Sequence, residues 1–272
     1  MKFIATFLLG LLLHIPTNAQ NNNALRSIVN KAFQRGEKLT YRVHYGLINA
    51  GEATLEVLNS TKTINGRPIY HVAATGKTLG AFNAVYKVDD RYDSFIDEEA
   101  MVPWAFMRRV QEGNYIINQD YFFNHYKHLV KARRSGSGEK VYGDTIMTNL
   151  PNNIQDMISA FYQMRTIDMS FIEVGDLIQL YAYMDEEIYP IRLKFLGKEE
   201  MKTDIGKVKC LKFVPVVQKG RVFKDEQDLK VWITDDENKI PVRVEAEIIV
   251  GSIKIDITQA ANLQNPLPIV SE

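Results

Sequence analysis

Apolar and polar residues alternate most regularly over residues 231–257, VWITDDENKIPVRVEAEIIVGSIKIDI, where the pattern breaks at acidic turn residues and then resumes. Alternation with a period of two predicts half-buried antiparallel strands with one face left to solvent or ligand. The same pattern starts near Glu37. Leu39, Tyr41 and Val43 share one strand face, and Ala53, Leu55 and Val57 share a face opposite Glu52, Thr54 and Glu56. Asn65-Gly66 predicts a two-residue hairpin turn, because both residues tolerate positive φ. It leads into a strand over 68–78. Further strands are predicted over 84–95, 105–112, 115–123 and 127–134, with Gly113-Asn114 as a tight turn. Six more are predicted over 177–184, 188–197, 206–217, 228–234, 241–249 and 252–258.

Two segments break the β pattern. Leu25, Ile28, Val29 and Ala32 recur at helical spacing, so a short helix is predicted within 20–36, ending at Gly36. Ile154, Met157, Ile158, Phe161 and Arg165 predict a second, amphipathic helix. Asn153 would be its N-cap and Asp156 would sit near the positive end of its dipole. At Gly251 the apolar set changes parity. A turn at Val250-Gly251 would pair Ile248 with Ile253 and Glu247 with Lys254; a glycine bulge in one bent strand would give the same switch. The fold class expected is mainly β: a curved, mostly antiparallel sheet, barrel-like or half-barrel, of about a dozen strands with one amphipathic covering helix. It would occupy 37–262 as one domain with halves 37–150 and 151–262, followed by a loose tail over 263–272.

The first residues change the picture of where this sheet works. Met1 and Lys2 precede an apolar run over 3–15, and Thr17 and Ala19 are the small residues a signal peptidase reads. Residues 1–19 are therefore expected to be a cleaved signal peptide. An uncleaved anchor is the alternative, although the run is shorter than the ~20 residues a spanning helix takes. Lys+Arg and Asp+Glu are equal at 33 each, and losing Lys2 leaves one more acid than base. That balance gives no reason to expect a polyanionic partner such as nucleic acid. Cys210 is the single cysteine, so no intramolecular disulfide can form, and within a strand it reads as a small buried apolar residue.

Candidate chemistry is thin. No H-E-x-x-H, paired C-x-x-C or G-x-S-x-G occurs, and no catalytic, cofactor or metal residue is assigned. His44 and His71 sit in strand patterns, and His125 and His128 would face opposite ways if their segment is a strand. The Gly136 and Gly138 loop has no helix after it to bind phosphate. Asp89-Asp90 and Asp235-Asp236 are read as turn residues. A polar cluster of Asp89, Arg91, Arg108 and Glu112 could serve catalysis only if the four side chains converge. The basic and aromatic run over 121–134 is read as an outer sheet face.

Tyr45-Gly46 with Ala50-Gly51-Glu52-Ala53, Asp90-Arg91-Tyr92, Pro103 with Phe106 and Arg108, and Glu112-Gly113 resemble an exported bacterial family catalogued as domain of unknown function 3108. Ile158-Ser159-Ala160-Phe161-Tyr162 with Arg165, then Gly220, Phe223, Glu226, Trp232, Thr234-Asp235-Asp236, Pro241-Val242 and Val250-Gly251-Ser252 continue it in order. The resemblance spans nearly the whole mature chain. It implies a Gram-negative envelope protein, placed in the periplasm, and carries no catalytic residues over. The tryptophan strand, acidic turn and Pro-Val strand also look like the curved half-barrels of the lipoprotein-carrier (LolA/LolB-type) fold, which bind acyl chains.

The expected function is that of a non-catalytic protein binding an apolar or amphipathic envelope ligand or partner, without a cofactor. Trp232, Val244, Ile248 and Ile255 are the candidate ligand-facing residues. The alternatives are a hydrolase of envelope glycans or peptides and a purely structural assembly protein.

Overall fold

The computed structural model describes residues 24–137, 144–216, 229–247 and 251–270. They form one open antiparallel sheet of fifteen strands. The first strands are β1 (Lys38–Tyr45), β2 (Ile48–Val57), β3 (Thr63–Ile64) and β4 (Arg67–Thr78). Next come β5 (Asp89–Asp97), β6 (Pro103–Glu112), β7 (Tyr115–Asn124), β8 (Leu129–Gly136) and β9 (Thr145–Met147). The second half adds β10 (Leu177–Met184), β11 (Glu187–Thr203), β12 (Gly206–Pro215), β13 (Leu229–Thr234), β14 (Pro241–Glu247) and β15 (Ser252–Ala261). Spatially the order is β10-β11-β12-β13-β14-β15-β1-β2-β4-β5-β6-β7-β8-β9, with β3 off the path beside β4. Two hairpin ribbons, one from each half, are thus joined where β1 pairs with β15.

Fifteen strands exceed the dozen expected because β3 and β9 are too short for periodicity to mark. Asn65-Gly66 makes the predicted hairpin turn, left-handed at both residues (φ 53° and 74°). Gly113 and Asn114 turn β6 into β7 as expected, with Glu112 opposite Tyr115. At Gly251 the structure is a hairpin, since β14 pairs antiparallel with β15. Its register differs from the expected one: Ala246 stands opposite Ile253 and Glu245 opposite Lys254, so the connection is longer than two residues.

Three sequence expectations are corrected. Residues 24–36 form no helix. The Asn30 side chain accepts from the Ala32 and Phe33 N–H groups, which turns the backbone and drops both residues into the core. Residues 84–95 are not one strand, because Gly80, at φ 54°, opens the short helix α1 (Gly80–Val85) and β5 starts only at Asp89. The tail is docked. Leu263 and Leu267 pack on the core, the Asn265 N–H donates to Asn238 Oδ1 at 3.0 Å, and Ile269 bridges Val208.

The covering helix is α2 (Met157–Arg165). Its N-cap is Asp156, three residues beyond the Asn153 expected; Asn153 is itself left-handed (φ 58°) and outside the helix. Asp156 accepts from the Ile158 and Ser159 N–H groups at 2.7 Å and from the Ser94 hydroxyl of β5 at 2.6 Å, which ties the helix start to the sheet. At the far end Arg165 is fully buried. It donates to both Glu37 carboxylate oxygens at 2.6 and 2.8 Å, to the Asn238 carbonyl at 2.8 Å and to the Ala32 carbonyl at 3.0 Å. Burial pulls the guanidinium pKa down, but the Glu37 hydrogen bonds and charge outweigh it and hold the pKa above the ordinary value.

Just before α2, the Gln155 N–H donates to the Tyr181 carbonyl and the Tyr183 N–H donates to the Gln155 carbonyl, both at 2.8 Å. These bonds pair the free side of β10, the edge strand that would otherwise offer unpaired backbone groups.

Complete burial pushes the Asp156 carboxyl up from 3.8 to about 6. The native protein therefore binds this proton more tightly than the unfolded chain does. The associated stability is fully present below pH 3.8 and is lost as the pH rises through 6. At 1.36 kcal/mol per unit the whole window is worth about 3 kcal/mol. Asn can cap the helix without titrating. In urea unfolding, the stability of wild type relative to Asp156→Asn should fall by about 2 kcal/mol between about pH 4 and about pH 7.5. A difference that stays flat would rule the shift out.

Candidate functional site

Residues opposite one another in register point to the same face of a sheet. One such row runs Val231, Val244, Ile255, Val43 across β13, β14, β15 and β1. A second runs Tyr41, Ala53, Gly76, Asp90 from β1 to β5. A third runs Leu39, Leu55, Ala74, Tyr92, Arg108, Gln119 from β1 to β7. These rows form the inner face of the curve, and α2 lies across from them with Ile158, Phe161 and Met164 turned inward. Where Ala53 of β2 stands beside Ala74 and Gly76 of β4 the inner face is a shallow floor, because two adjacent strands carry almost no side chain there. The result is a cavity of about 590 Å³ between sheet and helix, with mostly apolar walls. Leu180, Ile191 and Leu193 of β10 and β11 form its far side. The volume lies in the range of ligand sites, ~300–1,000 Å³.

One corner is polar. Asp90 and Tyr92 reach the cavity from β5, and the Tyr92 hydroxyl stands 3.4 Å from Asp90 Oδ2. Burial raises the Asp90 carboxyl above its usual range, although the Gln111 N–H donates to it at 3.0 Å. Burial likewise raises the Tyr92 hydroxyl. The Arg108 guanidinium lies over the Tyr92 ring, 5.8 Å from its centre, and donates to Asp185 Oδ1 at 3.2 Å. Gln119 donates to Glu186 Oε1 at 3.3 Å.

Asp185 and Glu186 form the β10–β11 turn, and both are left-handed (φ 46° and 60°) without being glycine. A glutamate in that conformation costs about 1–2 kcal/mol. The turn is held where it is by the Asp185 N–H, which donates to the Tyr121 hydroxyl at 3.1 Å, and by the two carboxylates on Arg108 and Gln119. Left-handed φ at both central residues is the type I′ geometry that a two-residue hairpin between Met184 and Glu187 takes. A carboxyl, a phenol and a guanidinium at the edge of an apolar space can orient the polar end of an amphipathic molecule.

Of the four candidate ligand-facing residues, Val244 and Ile255 line the cavity. Trp232 does not. It is one residue out of step with Val231, its indole N–H donates to Glu199, and the Lys212 ammonium sits 4.9 Å from its ring centre. Ile248 lies outside the described residues, as do Gly138, Gly220, Phe223 and Glu226.

The polar group Asp89, Arg91, Arg108 and Glu112 is scattered. Asp89 is exposed. Arg91 faces away from Tyr92 and is bidentate on Asp93 at 2.7 Å. Glu112 stands at the end of β6, 3.5 Å from the Tyr86 hydroxyl. Only Arg108 reaches the polar corner. Asp90, read as a turn residue, is a buried strand residue, whereas Asp236 does work in a turn, accepting from Thr234, Asn238 and Lys239.

The other candidates are structural. His71 holds Asp93 at 2.8 Å and His125 contacts the Pro103 carbonyl at 2.6 Å. His125 and His128 lie in the β7–β8 turn and not in a strand. Among the described residues no three His, Cys, Asp or Glu side chains come together as a metal site. Burial pushes the Cys210 thiol up to about 12, so it stays protonated and inert. In the run over 121–134, Tyr121, Phe123, Val130 and Ala132 are buried. Lys131 and Arg133 face outward, where both pair with Asp144.

The sequence profile of a family described as "Protein of unknown function (DUF3108)" matches residues 40–258. No curated protein matches the chain. Among solved structures, the fold is similar to a β-barrel-like protein of domain of unknown function DUF1849 from Brucella abortus. The TM-score is 0.54 at 10% identity, covering 87% of this chain and 98% of that one. An exported-type protein with YmcC-like fold from Bacteroides fragilis gives 0.35 at 9%, covering 87% and 100%. A lipoprotein-type chain from Parabacteroides distasonis gives 0.33 at 9%, covering 86% and 99%. The Brucella likeness agrees with a sheet that curls toward a barrel without closing.

Proposed function

The chain belongs to this family of unknown function, and from that premise we propose that it is a non-catalytic periplasmic binding protein for an apolar or amphipathic envelope ligand. The observation that carries the reading is the cavity of about 590 Å³ whose apolar walls end in the Asp90 and Tyr92 corner, with Arg108 behind it over the Tyr92 ring. A packed β core closes such space with larger side chains, because interiors are as dense as organic crystals. Here Ala53, Ala74 and Gly76 leave it open. An acyl or other apolar body would fill the space under α2, and its polar end would meet the buried carboxyl and the Tyr92 hydroxyl. Export rests on the small-residue cleavage pattern after the apolar run over 3–15.

Native mass spectrometry of the protein purified from envelope extracts, followed by organic extraction, tests this reading. A discrete added mass that extracts as an amphiphile is expected. A protein that is always bare, and that takes up no fluorescent fatty acid, would sink it. The hydrolase alternative has no support of this kind, since its four side chains do not converge and the carboxylates nearest Arg108 serve the β10–β11 turn.

A further inference from the structure

One end of the sheet carries apolar side chains where soluble proteins place polar ones. At the β1–β2 turn Leu47 is completely exposed and Ile48 more than half exposed. Val85, at the end of α1, is 86% exposed, and Leu79 and Tyr86 flank it in the open. Tyr115 and Ile116, just past the β6–β7 turn, are exposed as well. Register places these tips together. The Leu79 N–H donates to the Ala50 carbonyl at 3.0 Å, and the Tyr45 and Phe82 rings meet at 6.2 Å. The Gly113 N–H donates to the Lys87 carbonyl at 2.7 Å.

The tips also stand at the mouth of the cavity. Tyr45 lies further along β1 on the face that carries Tyr41, and Thr78, which leads into α1, follows Gly76 on β4. Their composition narrows the partner. Residues 45–48, 79–86 and 113–116 hold no charged side chain in a chain that is 24% charged; the bordering charges, Glu112 beside the Tyr86 hydroxyl and Lys87, stand one residue outside these tips. Three tyrosines, Tyr45, Tyr86 and Tyr115, stand among the aliphatic tips, and Lys87 follows directly behind them. Aliphatic points backed by amphipathic rings and a long cationic side chain match the layering of a bilayer surface. A protein partner would call for a continuous complementary face of ~800 Å² rather than separate turn tips.

We infer that this end of the half-barrel docks on the surface of a lipid bilayer, with Leu47, Ile48 and Val85 entering the acyl region and the cavity mouth facing the membrane. The inference rests on the ligand-binding reading above and names where the ligand is collected or delivered: an amphiphile held in the cleft would cross between cavity and bilayer without passing through water.

The test is co-sedimentation of the full mature chain with phosphatidylcholine vesicles, at low and high salt. Wild type should pellet with the vesicles at both. Leu47→Asp/Val85→Asp should lower the partition coefficient at least ~10-fold, since both side chains would otherwise bury apolar surface in the interface. Single Leu47→Asp, at a position with no packing contact to lose, should give part of that loss. Wild type remaining in the supernatant overturns the inference, and so does a double variant that pellets equally well. Binding released by salt points to an electrostatic patch instead and also overturns it. So does a twofold molecular mass that the double variant abolishes without any vesicle binding, because the rim would then be a contact between two copies. The two readings fail separately. The rim variant should still carry ligand in native mass spectrometry, and a variant with the cavity filled should still pellet with vesicles.

Discussion

Replacing Arg165 with methionine is expected to destabilise the protein by about 3–5 kcal/mol, the range for removing one partner of a buried ion pair. Domains of ordinary stability have only ~5–15 kcal/mol to lose. The size of the effect comes from Glu37, which is fully buried and whose carboxyl would be left with neither water nor guanidinium to meet it. Two buried carbonyls, of Ala32 and Asn238, lose a donor at the same time. Arg165 also sits among the Phe33, Tyr162 and Phe161 rings at 5.2–5.9 Å, so its packing matters beside its charge. Urea unfolding of three variants separates these effects. Arg165→Met and Glu37→Met should each be severely destabilised, whereas the double variant should recover a large part of the loss, because an apolar pair leaves no stranded charge. A single-variant loss below about 1 kcal/mol, as at an exposed pair, would show that the pair does not hold α2 in place.

The second large effect is on binding. Ala74 stands in register between Leu55 and Tyr92 on the cavity floor. Ala74→Phe would place a ring in the space that Ala53, Ala74 and Gly76 leave under α2. Uptake of a dansyl-labelled fatty acid is expected to fall at least ~10-fold, while the unfolding midpoint changes little because the added volume enters existing space. If instead the variant unfolds early and wild type shows no uptake to lose, the space is a packing defect and not a site. The same substitution should remove any ligand mass that native spectrometry finds on the wild-type protein.

How much of this was legible in the sequence depended on range. Val244 and Ile255 were readable as apolar strand positions because alternation is a local property, and of the four proposed contacts these two line the cavity. The cavity itself was not readable. Its existence depends on Ala53, Ala74 and Gly76 lying side by side on strands separated by turns, and only register decides that. Register also decides why Arg91 and Arg108 part company. Tyr92, not Arg91, stands opposite Arg108, so the arginines leave opposite faces of the sheet.

Trp232 misled because alternation was extended through it without allowing for the bulge that follows at Ile233. The helix expected near Ala32 misled for another reason. The spacing of Leu25, Ile28, Val29 and Ala32 was real, but Val29 is left in solvent while Phe33 packs edge-on against Tyr162, a long-range contact that no local period contains. Sequence placed α2 correctly as the covering helix and missed its cap by three residues. Capping by Asp156 is fixed through Ser94, far along the chain.

The join between β1 and β15 has a consequence for how the molecule is made. The Thr258 hydroxyl donates to the Thr40 carbonyl at 3.1 Å across 218 residues, at the seam that unites the two ribbons. During synthesis β1 emerges long before β15, its partner on this side. Until then β1 and its ribbon carry an exposed edge next to an uncovered apolar face. Closing so large a loop is slow, because its entropy must be lost before any seam contact is gained. The waiting intermediate is the form most open to mispairing with another chain. A sheet joined through so distant a pair of strands stays pliable until the later one is made, and locks into shape with it.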